Sequence, residues 1–93
     1  MTKAEIVNTI SQKTGIEKMV VKLTIETFME TVMGSLSSGE DVFLRGFGNF
    51  IVKKRNKKNF HAAPGNWILI PEHYEPFFKP CDEFKERVKS NVK

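Results

Sequence analysis

The chain has 93 residues, 40% hydrophobic and 28% charged, with 15 lysines and arginines against 11 acids for a formal charge of +4. One domain fits that length, and so short a chain covers a smaller fraction of its surface than a long one, so extended apolar features call for a partner. Cys81 is the single cysteine, which excludes an intrachain disulfide and a zinc framework of paired thiols and makes a reducing cytosol the expected compartment. The opening "MTKAEIVNTI" has no leader-like apolar run, and no apolar stretch is long enough to span a bilayer, so neither export nor a membrane is expected.

Thr2 followed by Glu5 is a capping box, which predicts a first helix over about 3–14, ended by Gly15. In the next segment Val21, Ile25, Phe28, Val32 and Leu36 recur at helical spacing, and Met29 and Met33 widen the stripe until "SLSSGE" ends it. That arc is wider than one neighbour can cover, which predicts a helix shared between its own sheet and a second subunit. After Gly39 the period changes to two. Val42 and Leu44 share one side of a strand, and Phe50 and Val52 one side of the next. Gly46 and Gly48 flank Phe47 in the turn between them, where the backbone needs positive φ or close approach.

The second strand should continue through "KKRNKKNFHAA" to Pro64-Gly65, a pair suited to the central positions of a type II turn. "NWILIP" returns as the third strand. From Asn49 to Pro71 this hairpin is longer than the domain can cover, so its outer half should project as an arm. "DEFKERVKSNV" closes the chain as a helix, with acids in its first turn, bases later, and Phe84 and Val88 four apart. The expected fold is α+β. It has two N-terminal helices (1–39, a dimerisation part), a three-stranded antiparallel sheet with a protruding β-hairpin arm (40–80) and a short C-terminal helix (81–93).

The charge is local. Lys53, Lys54, Arg55, Lys57 and Lys58 occupy five of six consecutive positions, a density that points to a polyanion. Each Lys or Arg that reaches a phosphate releases counterions and so adds affinity without sequence information. On one continuous strand Lys53, Arg55 and Lys57 would face one way and Lys54 and Lys58 the other, letting a ribbon touch backbone on both sides of a groove. Against this stands the solvated face that most lysine clusters form, or the lysines that guard an edge strand. Phe28, Phe47, Phe50, Phe78 and Phe84 sit in apolar periodic contexts and read as core and dimer packing rather than base-stacking groups.

The order "GFGNF" at 46–50, Ile70-Pro71 and Phe78-Lys79-Pro80, behind two helices and around a basic arm, resembles the bacterial histone-like HU and integration host factor family over nearly the whole chain. The resemblance implies an intertwined dimer, a homodimer or a heterodimer with a paralogue, whose two β-arms grip and bend double-stranded DNA at the minor groove. It implies a cytoplasmic, nucleoid-associated protein. By position Arg45 resembles a basic residue on the flank of the DNA, and Lys79 the lysine of the saddle. No cofactor, metal or enzymatic activity is implied; His61, His73 and Cys81 have no nucleophile, base or carboxylate constellation at readable spacing.

The arm departs from the family. Aligned backward from Ile70-Pro71, His61-Ala62 stand where many members carry Asn-Pro, the proline that wedges between base pairs. No Lys or Arg occurs between Asn59 and Phe78, where Phe60, Trp67, Ile68, Leu69 and Tyr74 stand instead. Asp82 follows Phe-Lys-Pro-Cys, where relatives often carry lysine. The candidate arm-tip contacts are therefore Phe60, His61, Ala62 and Pro64, with weak or absent intercalation favoured and Phe60 the nearest large substitute for the wedge. Two functions stay open: an architectural DNA-binding dimer of low sequence preference, or a dimer of this fold whose apolar arm binds protein, DNA being secondary.

Overall fold

The computed structural model covers residues 1–93 and describes the backbone throughout and the side chains of all residues except 60–63. The element order is α1 (Lys3–Thr14), α2 (Lys18–Ser37), β1 (Val42–Leu44), β2 (Gly48–Arg55), β3 (Lys58–Ala63), β4 (Asn66–Ile70), β5 (His73–Pro80) and α3 (Asp82–Asn91). Two compact units contain these elements, Met1–Gly34 and Ser35–Lys93.

In the first unit α1 begins at Thr2, whose hydroxyl oxygen accepts the Glu5 amide at 3.2 Å. The expected box closes differently from its usual form, because the Glu5 carboxylate accepts from the Thr2 hydroxyl, also at 3.2 Å. Gly15, at φ 74°, ends the helix in the left-handed conformation with its N–H donated to Ser11. Val7 and Val21 are buried, and the Lys3 ammonium donates to Glu26 at 2.6 Å. That bond holds the Glu26 carboxyl below the usual carboxylate range.

In the second unit β1, β2 and β5 form an antiparallel sheet in the order β1-β2-β5, and β3 and β4 pair separately as the arm. The strand beside β2 is thus β5, not the "NWILIP" segment, which pairs only within the arm. Two prolines hide β5 in the sequence, and the structure shows why it tolerates them. Val52 donates its N–H to the Asp41 carboxylate at 2.9 Å, on the β1 side, so the Val52–Pro76 pair exchanges no backbone bonds. Pro76 and, four residues on, Pro80 therefore turn their nitrogens to the outer edge of an edge strand, where no donor is needed.

The two glycines around Phe47 have different physical duties. Phe47 donates its N–H to Leu44 at 3.0 Å, and Gly46 between them has φ 83°, a conformation that side chains rarely adopt. Gly48 instead permits close approach. A Cβ there would lie 2.6 Å from the Lys79 carbonyl oxygen and 2.7 Å from the Phe78 ring. Behind it the rings of Phe47, Phe50, Phe78 and Phe84 pack at centroid distances of 4.8–6.2 Å, joining the sheet to α3. At the far end of the arm Pro64-Gly65 links β3 to β4 with Gly65 at φ 80°, the positive φ that a type II turn requires at its third residue.

Thr2→Ala should lower the unfolding free energy by about 1 kcal/mol, the usual value of a missing helix cap, measured by urea unfolding followed by circular dichroism. Gly48→Ala should cost more, about 1–3 kcal/mol, because the backbone oxygen it meets cannot rotate away. Gly34→Ala, with open space around its Cβ, is the control expected to stabilise the helix slightly.

Candidate nucleic-acid interface

The β2–β5 register pairs Gly48 with Pro80, Asn49 with Lys79, Ile51 with Phe77, Lys53 with Glu75 and Arg55 with His73. Alternation along the strands then separates two faces. Phe50, Val52, Phe78 and Pro76 belong to the aromatic side. Asn49, Ile51, Lys53 and Arg55 share the opposite face with Lys79, Phe77, Glu75 and His73. Side-chain geometry on this second face agrees, since the Lys53 ammonium lies 4.3 Å from the centre of the Phe77 ring and Arg55 is ion-paired with Glu75.

This face brings together three of the cations expected from sequence: Lys53 and Arg55 on β2 and Lys79 on β5. All three are exposed. The Lys53 ammonium sits over the face of the Phe77 ring, a cation–π contact that orients its charge on this exposed face. Lys54 points to the other face and donates to Glu72 at 3.0 Å. Arg45 stands exposed in the β1–β2 turn, away from the arm base in sequence and on a different element.

The continuous basic strand is not found. β2 ends at Arg55, residues 56–57 belong to neither strand, and β3 begins at Lys58. Lys57 is therefore outside the alternation that the sequence suggested, and Lys58, opposite Ile70, belongs to the arm. Both are exposed. Of the candidate arm-tip contacts, the side chains of Phe60, His61 and Ala62 lie outside the described residues, while Pro64 is exposed in the turn. The backbone register of the arm shifts between His61 and Ala63, so the strand carries one extra residue where the alignment with the family placed the wedge. β4 is exposed along its whole length, with Trp67, Ile68 and Leu69 each at least half exposed.

Sequence reasoning missed the acids at the arm base. Glu72 and Glu75 partner Lys54 and Arg55, and the His73 ring lies between Glu75 and the Pro71 carbonyl. The Pro71 carbonyl and the Glu75 carboxylate raise the His73 pKa above its usual value, and the Arg55 guanidinium holds Glu75 below the usual carboxylate range. Spacing could have revealed them: "HYE" placed on a strand puts His73 and Glu75 on one face. Among the described residues no group of three or more His, Cys, Asp or Glu is arranged to hold a metal ion, and no helix is long and apolar enough to cross a membrane. Cys81 is a half-buried free thiol preceding α3.

Comparison with known proteins identifies the family. Residues 1–89 match the family described as Bacterial DNA-binding protein. The chain is 40% identical over 90 residues to DNA-binding protein HU of Thermotoga maritima, covering 96% of this chain and all of that protein. It is 34% identical over 94 residues to integration host factor subunit alpha of Actinobacillus pleuropneumoniae, covering 100% of this chain and 95% of that one. Its fold superposes on Anabaena HU, from a cocrystal structure with DNA, with a TM-score of 0.85 and 28% identity, over all of both chains. A match across 1–89, full-length relatives and a fold shared over the whole chain establish that the chain belongs to the HU and integration host factor family of bacterial DNA-binding proteins.

Proposed function

We propose that residues 1–93 form one architectural module that binds double-stranded DNA with low sequence preference and bends or compacts it through paired basic β-arms, in the cytoplasm at the nucleoid. The observation that carries this reading is the exposed β2–β5 face, along which Lys53, Arg55 and Lys79 are spread. These are charges on a pleated surface, suited to phosphate backbone rather than to base edges. The resemblance to Anabaena HU in its DNA cocrystal supports the same ligand. Lys54, Lys57, Lys58 and Arg45 extend the basic surface toward the arm and the flank.

The active form is a dimer, a homodimer unless a paralogue is present, intertwined through the helices and the aromatic sheet. What supports it is the apolar surface one chain leaves open. Val7 and Val21 are the buried hydrophobic residues among those described, while Leu23, Phe28, Met33, Phe43 and Phe47 remain 43–69% exposed. A groove of about 610 Å³ beside Phe47, Phe84 and Val88 is further surface for a second copy to fill.

A second reading has its own observation. The whole of β4 is exposed and four of its five residues are apolar, which fits an arm that meets protein with DNA secondary. Salt separates the two, because phosphate binding carries a steep salt slope and apolar docking does not.

Sedimentation at micromolar concentration should show a dimer; a folded monomer with native helical content contradicts it. Replacing Lys53, Arg55 and Lys57 together with glutamine should weaken binding to all duplexes alike and lower the salt slope by about 0.9 for every phosphate that each subunit no longer neutralises. Weakening confined to one sequence would indicate base readout. Bending, followed by energy transfer between end labels on a short saturated duplex, should increase for Ala62→Pro and change little for Phe60→Ala. Straightening by Phe60→Ala at nearly constant affinity would show that the phenylalanine is a wedge.

A further inference from the structure

The face that carries the cations also carries an acid. Glu75 stands opposite Lys53 and is the carboxylate of the β2–β5 pair, since neither strand contains another. Its oxygens are divided: Oε1 accepts from Arg55 Nε, and Oε2 lies 3.4 Å from His73 Nε2. The other imidazole nitrogen, Nδ1, lies 2.9 Å from the Pro71 carbonyl oxygen. Both ring nitrogens therefore face atoms that can only accept. A neutral imidazole can donate to one of them, and the imidazolium alone donates to both.

The charged groups around His73 are Arg55 and Lys53 of β2, Glu75 of its own strand, and Glu72, next in the chain and paired with Lys54. Arg55 is thus the cation whose guanidinium is already engaged by a carboxylate, a group that presents oxygens much as a phosphate does. An incoming phosphate meets an occupied arginine and a resident negative charge. A proton on His73 offsets that charge.

We propose that Glu75 competes with DNA phosphate for Arg55 on this face, and that His73, by holding a proton against the carboxylate, releases Arg55 to the DNA, so that duplex binding takes up a proton at the base of each arm. The inference rests on the DNA-binding reading above. Its sign follows from charge. Phosphates brought to the face favour the imidazolium more than the free protein does, so the His73 pKa is higher in the complex, and affinity rises as pH falls through the interval between the two values. The free-protein value is itself raised by the Pro71 carbonyl and Glu75, which places that interval above the ordinary imidazole value of about 6.5.

Binding to a random-sequence duplex is measured by fluorescence anisotropy at constant ionic strength from about pH 6 to about pH 9, a range that brackets the imidazole titration. The natural sequence should bind about three- to tenfold more tightly at the low end, a pKa change of one unit corresponding to tenfold. Glu75→Gln should tighten binding about threefold at the high end, and His73→Gln should remove most of the pH dependence. A flat curve for the natural sequence, or a folded Glu75→Gln protein that binds no tighter at high pH, overturns the proposal. Should Glu75→Gln fail to fold, the His73 ring resonances of the natural sequence decide: their titration must move to higher pH when duplex is added, and an unmoved titration refutes the coupling. The Lys53, Arg55 and Lys57 triple variant in the same series tests the underlying reading. If it binds as tightly as the natural sequence, DNA binding by this face fails; if it binds weakly while Glu75→Gln is neutral, the competition alone fails.

Discussion

The interaction on which the second unit depends is the approach of β5 to β2 at Gly48. The Lys79 carbonyl and the Phe78 ring come so close to this residue that no side chain fits. That closeness sets Gly48 opposite Pro80, and the rest of the register follows residue by residue to Arg55 opposite His73. Because side chains alternate with period two, a slip of one residue would carry Lys53 and Arg55 to the aromatic side and bring Phe50 and Phe78 into water. The same pairing seats Phe78 between the rings of Phe50, Phe47 and Phe84. The aromatic cluster and the basic face are thus two sides of one register.

The register also sets the electrostatics. The arm base carries a dense run of cations in sequence, yet two of them are matched by carboxylates from the chain that returns after the arm. These are exposed ion pairs, worth little to stability. Their effect is on availability: a lysine or arginine held by Glu72 or Glu75 must exchange one anion for another when it meets a phosphate. Lys53 and Lys79 have no such partner among the described residues, and Lys53 is instead supported by Phe77. Charge count therefore overstates how many cations this surface presents at no cost.

Beyond the sheet the character of the chain changes. β3 and β4 pair only with each other, separated from β2 and β5 by residues 56–57 and 71–72. An isolated two-stranded ribbon is marginal in water, and this one exposes the apolar side chains of β4.

Much of this was legible in the sequence because its signals are local. Thr2, Gly15, Gly46 and Pro64-Gly65 act through the backbone torsions and hydrogen bonds of their immediate neighbours, and the helical stripe from Val21 to Leu36 and the closing helix after Pro80 need only periodicity. The family order of motifs was legible for the same reason. β5 was not, since Pro76 and Pro80 argue against a strand unless it is known that their nitrogens face an open edge, which depends on where Val52 sends its N–H. The break at 56–57 was equally hidden in an unbroken basic run. Glu75 and His73 lie about twenty residues from Arg55 in the chain, and their meeting belongs to the β2–β5 pairing alone. Sequence by itself determined the residue types, the turns and the helices, because propensity and capping act over a few residues. Tertiary structure decided which cations share a face and which are already engaged by acids, because charges interact through distances that only strand register sets.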